Sequence, residues 1–402
     1  MGNLNATPRS ERVHIAFFGR RNSGKSSLIN AFAGHKVALV SDVAGTTTDP
    51  VYKSMEIHGI GPCVLIDTAG YDDEGMLGEM RVERTRRVLR ETDAAVLLIS
   101  STVSPDDELT MEREWVNTMK ETGTPVLCVL SRADLVSDTD ALAAAVQEKL
   151  GLESERVSVQ DEGITERMRL ALLRVLPENL FARTIASHLV RPGDTVLLVM
   201  PQDIQAPQGR LILPQVQTIR DLLDGKCVVM SVTADQIDAG LAALKTPPAL
   251  IITDSQVFPL VYAKKPAESA LTSFSVLMAA YKGDIDAFVA GAEAIDRLTE
   301  NSRVLIAEAC THAPLEEDIG RVKIPAMLRK RFGAGLRIDM VSGKDFPAEL
   351  GEYDLIIHCG ACMFNRRYVL SRIAAAQAAG VPITNYGTTI AKVTGILDKV
   401  IY

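Results

Sequence analysis

The stretch Val13-His14-Ile15-Ala16-Phe17-Phe18-Gly19-Arg20-Arg21-Asn22-Ser23-Gly24-Lys25-Ser26-Ser27-Leu28-Ile29 decides the fold. An apolar run of strand length leads into Gly-x-x-x-x-Gly-Lys-Ser, and a helical pattern follows at once. In that setting the pattern reads as a P-loop. Its glycines let backbone N–H groups close around phosphate oxygens at a helix N-terminus, where the dipole favours negative charge. Lys25 is expected to reach the β- and γ-phosphates and Ser26 to ligate Mg²⁺, with Gly19, Asn22, Ser23, Gly24 and Ser27 completing the cradle.

Working outward, residues 13 to 176 alternate strand-like runs (VHIAFFG, PCVLID, AAVLLIS, PVLCVL, RVSV) with charged amphipathic segments. That alternation predicts an α/β unit with a parallel sheet wrapped by helices. Breaks at Leu176-Pro177-Glu178 and Lys264-Lys265-Pro266 predict three domains, over 11–177, 178–265 and 266–402. The middle segment reads as a small α/β unit with strands TVLLVM, KCVVMS and PALIIT, and it carries no chemical motif. The third opens on a helical pair, followed by strands RVLIAEA, LRIDMV and YDLIIH and the helix NRRYVLSRIAAAQAAG.

With 402 residues, 47% hydrophobic and 23% charged, the chain is too long for one core. A net charge of -8 gives no support to binding of nucleic acid or an acidic membrane. No apolar run approaches the ~18 residues of a spanning helix, and the start lacks a signal-peptide core, so a cytoplasmic location is expected. In such a reducing compartment, grouped cysteines read as metal or redox sites. Cys63, Cys128 and Cys227 stand singly in apolar runs and read as buried thiols.

Two further elements belong to the nucleotide site. The strand VLID ends in Asp67, where a carboxylate would hold the Mg²⁺ hydration shell, and Gly70 is free to turn toward the γ-phosphate. Between this strand and the P-loop lies Gly45-Thr46-Thr47-Thr48-Asp49, a hydroxyl-rich switch loop from which Thr47 is expected to reach the metal.

On these motifs the first 170 or so residues resemble the translation-factor-related GTPases, in particular their tRNA-modifying and ribosome-assembly branch (TrmE/Era-like). The resemblance implies GTP and Mg²⁺ as ligands, and a K⁺ ion held with the help of Asn22. Tyr71 follows Asp67-Thr68-Ala69-Gly70, so the glutamine that orients water in Ras-like enzymes is missing. Unaided turnover is then expected on the order of 10⁻³ to 10⁻⁴ s⁻¹ or below. The guanine-reading segment, usually Asn-Lys-x-Asp, is Ser131-Arg132-Ala133-Asp134, which keeps Asp134 as acceptor from the base and weakens the guanine preference.

The remaining cysteines form a second constellation, Cys310-Thr311-His312 and His358-Cys359-Gly360-Ala361-Cys362. Cys310 and Cys359 both follow predicted strands, and ligands bind at that edge of an α/β sheet. Metal binding is therefore expected. Three thiolates and a histidine suit zinc, whereas a 4Fe-4S cluster on three cysteines leaves one iron for another ligand. His358, Glu349, His312 and an exogenous group are candidates for that position.

The pattern CTH(x45)HCGAC downstream of such a GTPase closely resembles the maturation GTPases of iron-iron hydrogenases, the HydF family, over essentially the entire chain. The resemblance implies a scaffold that receives a diiron precursor with the help of two radical-SAM maturases and delivers it to the apo iron-iron hydrogenase. It also implies a homodimer formed through the middle domain. Cys310, Cys359 and Cys362 become the 4Fe-4S ligands, and His312 and His358 an accessory pair. Arg366 and Arg367, opening the next helix, would stabilise thiolates and an anionic precursor. Competing readings are an RNA-modification or ribosome-assembly GTPase with a structural zinc, and an interaction protein with a degenerate GTPase domain, suggested by Ser131, Arg132 and Val159.

Overall fold

The computed structural model describes residues 7–34, 50–72, 76–177, 180, 183–201, 211–309, 318–361 and 363–402. Thr47, Cys310, His312 and Cys362 lie outside these. The chain divides into two compact units, Met1–Phe181 and Ala182–Tyr402.

The first unit is built on β1 (Val13–Gly19), β2 (Val51–Ile57), β3 (Gly61–Asp67), β4 (Ala94–Ser100), β5 (Val126–Ser131) and β6 (Ser154–Arg156), in the order β2-β3-β1-β4-β5-β6. Helices α1 (Lys25–Ala33), α2 (Met76–Leu89), α3 (Thr110–Glu121), α4 (Asp140–Leu150) and α5 (Ile164–Val175) cover it. Every residue of β1 is buried, as expected of a strand covered on both faces. Ile15 and Phe17 pack with Leu28, Phe32 and Met168 on one side, and Ala16 and Phe18 with Trp115, Val116 and Met119 on the other.

Two details differ from the sequence reading. β2 runs antiparallel to β3 at the sheet edge, because the connection between them is a short turn around Gly59 (φ +82°) and a parallel crossover needs a dozen residues or more. The last strand is 154–156 rather than RVSV at 156 to 159, and beyond it the Val157 N–H donates to the Leu130 carbonyl while the Val157 carbonyl accepts from the Ala133 N–H.

The second unit holds two parallel four-stranded sheets. The first, ordered β10-β9-β7-β8, comprises β7 (Thr195–Val199), β8 (Val228–Val232), β9 (Leu250–Thr253) and β10 (Ala270–Ser273), with α6 (Leu213–Asp224), α7 (Ile237–Ala243) and α8 (Phe258–Lys264). After α9 (Phe274–Lys282) and α10 (Ile285–Ala292) come β11 (Arg303–Ala307), β12 (Arg337–Val341), β13 (Leu355–His358) and β14 (Ile383–Asn385), ordered β12-β11-β13-β14. Helices α11 (Ile324–Phe332), α12 (Arg366–Ala378) and α13 (Tyr386–Val393) complete this part. One apolar cluster joins the two sheets, running from Leu197, Ile251 and Phe258 to Val304, Ile357 and Leu397. β10 lies beyond the expected boundary at 265/266, yet it pairs with β9 in the earlier sheet. Among the described residues no helix is long and apolar enough to cross a membrane.

Candidate nucleotide and metal sites

The P-loop leaves β1 at Gly19 and enters α1 at Lys25, with Gly24 as N-cap at φ +92°, a conformation that suits glycine. Asn22 is also left-handed, at φ +55°. Lys25 is nearly buried, and its Nζ donates to the carbonyls of Gly19 at 2.8 Å and Arg20 at 2.9 Å. The ammonium thus lies folded along the loop that would embrace the phosphates.

Ser26 Oγ donates to Asp67 Oδ2 at 2.5 Å, so the two expected Mg²⁺ partners meet directly across α1 and the end of β3. Burial raises the Asp67 carboxyl pKa above its ordinary range, against the pull of the Ser26 hydroxyl and the Lys25 and Lys53 ammonium groups. A dication would relieve that cost. Gly70 approaches the P-loop so closely that a Cβ there would lie 2.8 Å from the Arg21 backbone nitrogen. That nitrogen donates to Asp72 Oδ1 at 2.6 Å.

Ser131, standing where GTPases usually have asparagine, donates from Oγ to the Ser23 carbonyl at 2.6 Å. The guanine-reading segment therefore stays tied to the P-loop despite the lost amide. Asp134 is exposed on a short 3-10 turn, Ala133–Leu135, after Arg132 at φ +57°. Its carboxylate is open to a base.

The sequence reading missed a buried network beside this site. Glu112 on α3 takes two hydrogen bonds from Arg20 of the P-loop, at 2.7 and 2.9 Å, and one from the Tyr71 hydroxyl at 2.9 Å. Arg20 also pairs with Asp107, at 3.1 and 3.2 Å, and this holds the Asp107 carboxyl pKa below its ordinary range. Tyr71 is buried, stacked on Trp115, with its phenol pKa raised by burial and the Glu112 charge. Its hydroxyl faces inward, onto Glu112.

In the second unit, β11 and β13 are adjacent parallel strands with Ala307 opposite His358, so Cys310 and Cys359 follow neighbouring strand ends. The Ala309 backbone N–H donates to Cys359 Sγ at 2.9 Å and that of Ala361 at 3.4 Å. Two backbone N–H donors thus converge on the Cys359 sulfur, and Ala309 is the chain neighbour of Cys310. Of the expected ligands Cys310, Cys359 and Cys362, Cys359 alone lies among the described residues. Among the described residues, which include just one of the three, no group of three or more potential ligands assembles.

His358 is fully buried, with Nδ1 2.8 Å from the Cys359 carbonyl and Nε2 3.0 Å from Arg372 Nη1. Arg372 can only donate, so Nε2 accepts and Nδ1–H donates to the carbonyl. Burial and the Arg372 charge push the imidazole pKa down to about 3 and keep it neutral. Both ring nitrogens are engaged, and coordination through either would break one of these contacts. Arg372 in turn lies among the rings of Phe346, Phe364 and Tyr368. Glu349, another candidate ligand, is exposed in the loop after β12.

Arg366 begins α12 behind its N-cap Asn365. Its Nε and Nη1 are shielded from solvent and have no hydrogen-bond partner among the described residues. Burial and the nearby Arg183 charge push its pKa down to about 10. It is not a solvated surface arginine. Cys63, Cys128 and Cys227 are buried free thiols, as expected, and burial pushes the first two up to about 12.

Three family models match the chain in order. Residues 14–132 match the 50S ribosome-binding GTPase model, 185–283 the Hydrogen maturase F dimerization domain and 286–402 the Hydrogen maturase F tetramerization domain. Among curated proteins, the tRNA modification GTPase MnmE of Synechococcus sp. (strain RCC307) is 36% identical over 146 residues, 35% of this chain and 31% of that protein. GTPase Der of Campylobacter jejuni (strain RM1221) is 32% identical over 126 residues, 31% of this chain and 26% of that protein. The chain thus spans about a third or less of the length of these relatives. A structure of Era from Aquifex aeolicus is similar at 19% identity, covering 58% of this chain and 98% of that one, with a TM-score of 0.33. The G domain of FeoB from T. maritima is similar at 20% identity, covering 41% and 98%, with a TM-score of 0.32. The first unit is a GTPase domain, and the two maturase models together account for nearly all of the second unit and more than half of the chain. The chain belongs to the Hydrogen maturase F family.

Proposed function

We propose that this protein is a GTP-binding and GTP-hydrolysing scaffold for maturation of iron-iron hydrogenase, one that holds a 4Fe-4S cluster on Cys310, Cys359 and Cys362 and passes a diiron precursor to the apo-enzyme. The observation that carries the metal part is the Ala309 N–H on Cys359 Sγ, which brings the chain leading into Cys310 against the second cysteine. A cluster on three cysteines supplies an iron free of protein thiolate, to which the precursor can dock. Arg366, with two shielded nitrogens that find no acceptor among the described residues, suits an anionic cargo beside the helix N-terminus. His358 serves by fixing the Cys359 carbonyl, and His312 is the remaining accessory candidate.

In the GTPase domain, Lys25 neutralises the β- and γ-phosphates, Ser26 and Thr47 ligate Mg²⁺, and Asp67 holds its hydration shell. Asn22 helps hold K⁺, and Asp134 accepts from guanine. Turnover is slow because Tyr71 stands where Ras-like enzymes carry the glutamine that orients water. Nucleotide state biases the affinity of the chain for its radical-SAM partners, and linkage requires that those partners bias nucleotide affinity equally. The protein acts as a cytoplasmic homodimer through its middle segment. The RNA-GTPase reading is disfavoured because the similarity to MnmE and Der covers 35% and 31% of this chain, whereas the two maturase models match residues 185–283 and 286–402.

The test is activation of apo-hydrogenase in an extract lacking this protein. Wild type restores activity, whereas a Cys310/Cys359/Cys362 triple-alanine variant does not. Full activation by the triple variant refutes the scaffold.

A further inference from the structure

A single buried carboxylate touches the P-loop and the segment after β3 at once. The Glu112 side chain is 1% exposed. Its Oε1 accepts from Arg20 Nε at 2.7 Å and from the Tyr71 hydroxyl at 2.9 Å, and its Oε2 accepts from Arg20 Nη2 at 2.9 Å. Arg20 is one of the two P-loop residues, with Gly19, whose carbonyls receive Lys25 Nζ. Tyr71 is the residue after Gly70, the glycine packed against the Arg21 backbone. One turn along α3 from Glu112, Trp115 stacks on Tyr71 with ring centroids 5.7 Å apart, and it is the chain's only tryptophan.

A buried carboxylate must keep its partners, because an unpaired charge in the core is strongly destabilising. Arg20 supplies the charge and the bidentate geometry, so Glu112 stays fixed whatever Tyr71 does. The Tyr71 hydroxyl adds one neutral donor, whose net worth is about 1 kcal/mol, a contact that a ligand can exchange for another. A γ-phosphate that attracts the Gly70 N–H changes the backbone immediately ahead of Tyr71. Such a change acts directly on the Tyr71 ring, which is held by Glu112 and Trp115.

We propose that Glu112 is a positioning residue of the nucleotide site, latching Tyr71 inward when the γ-phosphate is absent and releasing it when the γ-phosphate draws on Gly70. The latch opposes the GTP-engaged state and reports that state on α3. The inference rests on the reading of the first unit as a site that binds GTP.

The experiment uses the full chain and two signals. Displacement of a labelled guanine nucleotide measures affinity for GDP and for a non-hydrolysable GTP analogue, and Trp115 emission is recorded in each bound state. In wild type the emission should differ between the two states. Tyr71→Phe removes only the hydroxyl, so it should tighten the GTP analogue relative to GDP by about 2- to 10-fold, the worth of one hydrogen bond. A merely structural contact would instead weaken both nucleotides alike and leave their ratio unchanged. Glu112→Gln, which keeps the shape and one acceptor, should shift the ratio in the same direction. Identical emission in both bound states, or an unchanged ratio in Tyr71→Phe, overturns the latch while leaving GTP binding intact. Failure of either nucleotide to displace the label overturns the GTP reading and the latch with it.

Discussion

The backbone N–H of Ala309 donates to the thiol of Cys359 at 2.9 Å, across two strands that are neighbours in the sheet and 50 residues apart in sequence. The contact brings the residue that precedes Cys310 against the first cysteine of Cys359-x-x-Cys362. The thiol end of this sheet is therefore organised by backbone register, with His358 and Arg372 behind it.

This arrangement gives His358 two protein partners, the Cys359 carbonyl and Arg372. His358→Ala leaves an Arg372 N–H without its acceptor, at a cost of about 1 to 3 kcal/mol of stability. The folded fraction should still take up a full complement of iron. Chemical denaturation and iron analysis of the folded fraction check both parts, and iron loss at unchanged stability would make His358 a ligand.

Ser131 does the work of tying the guanine-reading segment to the P-loop. Ser131→Ala removes a hydrogen bond to the Ser23 carbonyl worth about 1 kcal/mol, so GTP and GDP should both weaken about 5- to 10-fold. Competition binding with labelled GDP measures this. Loss of GTP affinity alone would contradict the role.

Asn22 is expected to hold the potassium ion from a left-handed backbone position that alanine tolerates poorly. The informative quantity is thus a ratio within one variant. Turnover by wild type should be faster in potassium than in sodium at equal ionic strength, and in Asn22→Ala the two rates should converge.

Gly291 on α10 sits against β14, where a Cβ would lie 1.9 Å from the Ile383 carbonyl oxygen. Backbone cannot yield as a flexible side chain can. Gly291→Ala should lower stability by about 1 to 3 kcal/mol, read from urea unfolding.

Local signals made much of this legible. The P-loop needs only a strand, two glycines and a helix in sequence, and Ser26 and Asp67 meet as their motifs predict. β2 escaped because an edge strand with Val51 exposed and Tyr52 half-buried has no clean alternation. β14 escaped because three buried residues are too short a pattern. Glu112 and Arg372 were visible in principle. Each is a charge within an apolar helical stripe, Glu112 with Trp115, Val116 and Met119, and Arg372 with Val369, Ile373 and Ala376. A charge at such a position implies a buried partner, though not which one. His358 could not be assigned from sequence, since its state depends on Arg372, which only the packing of α12 brings within reach.

Anaerobic reconstitution with iron and sulfide, followed by metal analysis and EPR of the reduced protein, tests the scaffold most directly. The account predicts about four irons per chain and a cubane signal, both lost when Cys310, Cys359 and Cys362 are replaced by alanine. Stoichiometric zinc that resists replacement, with no paramagnetic cluster, would contradict it.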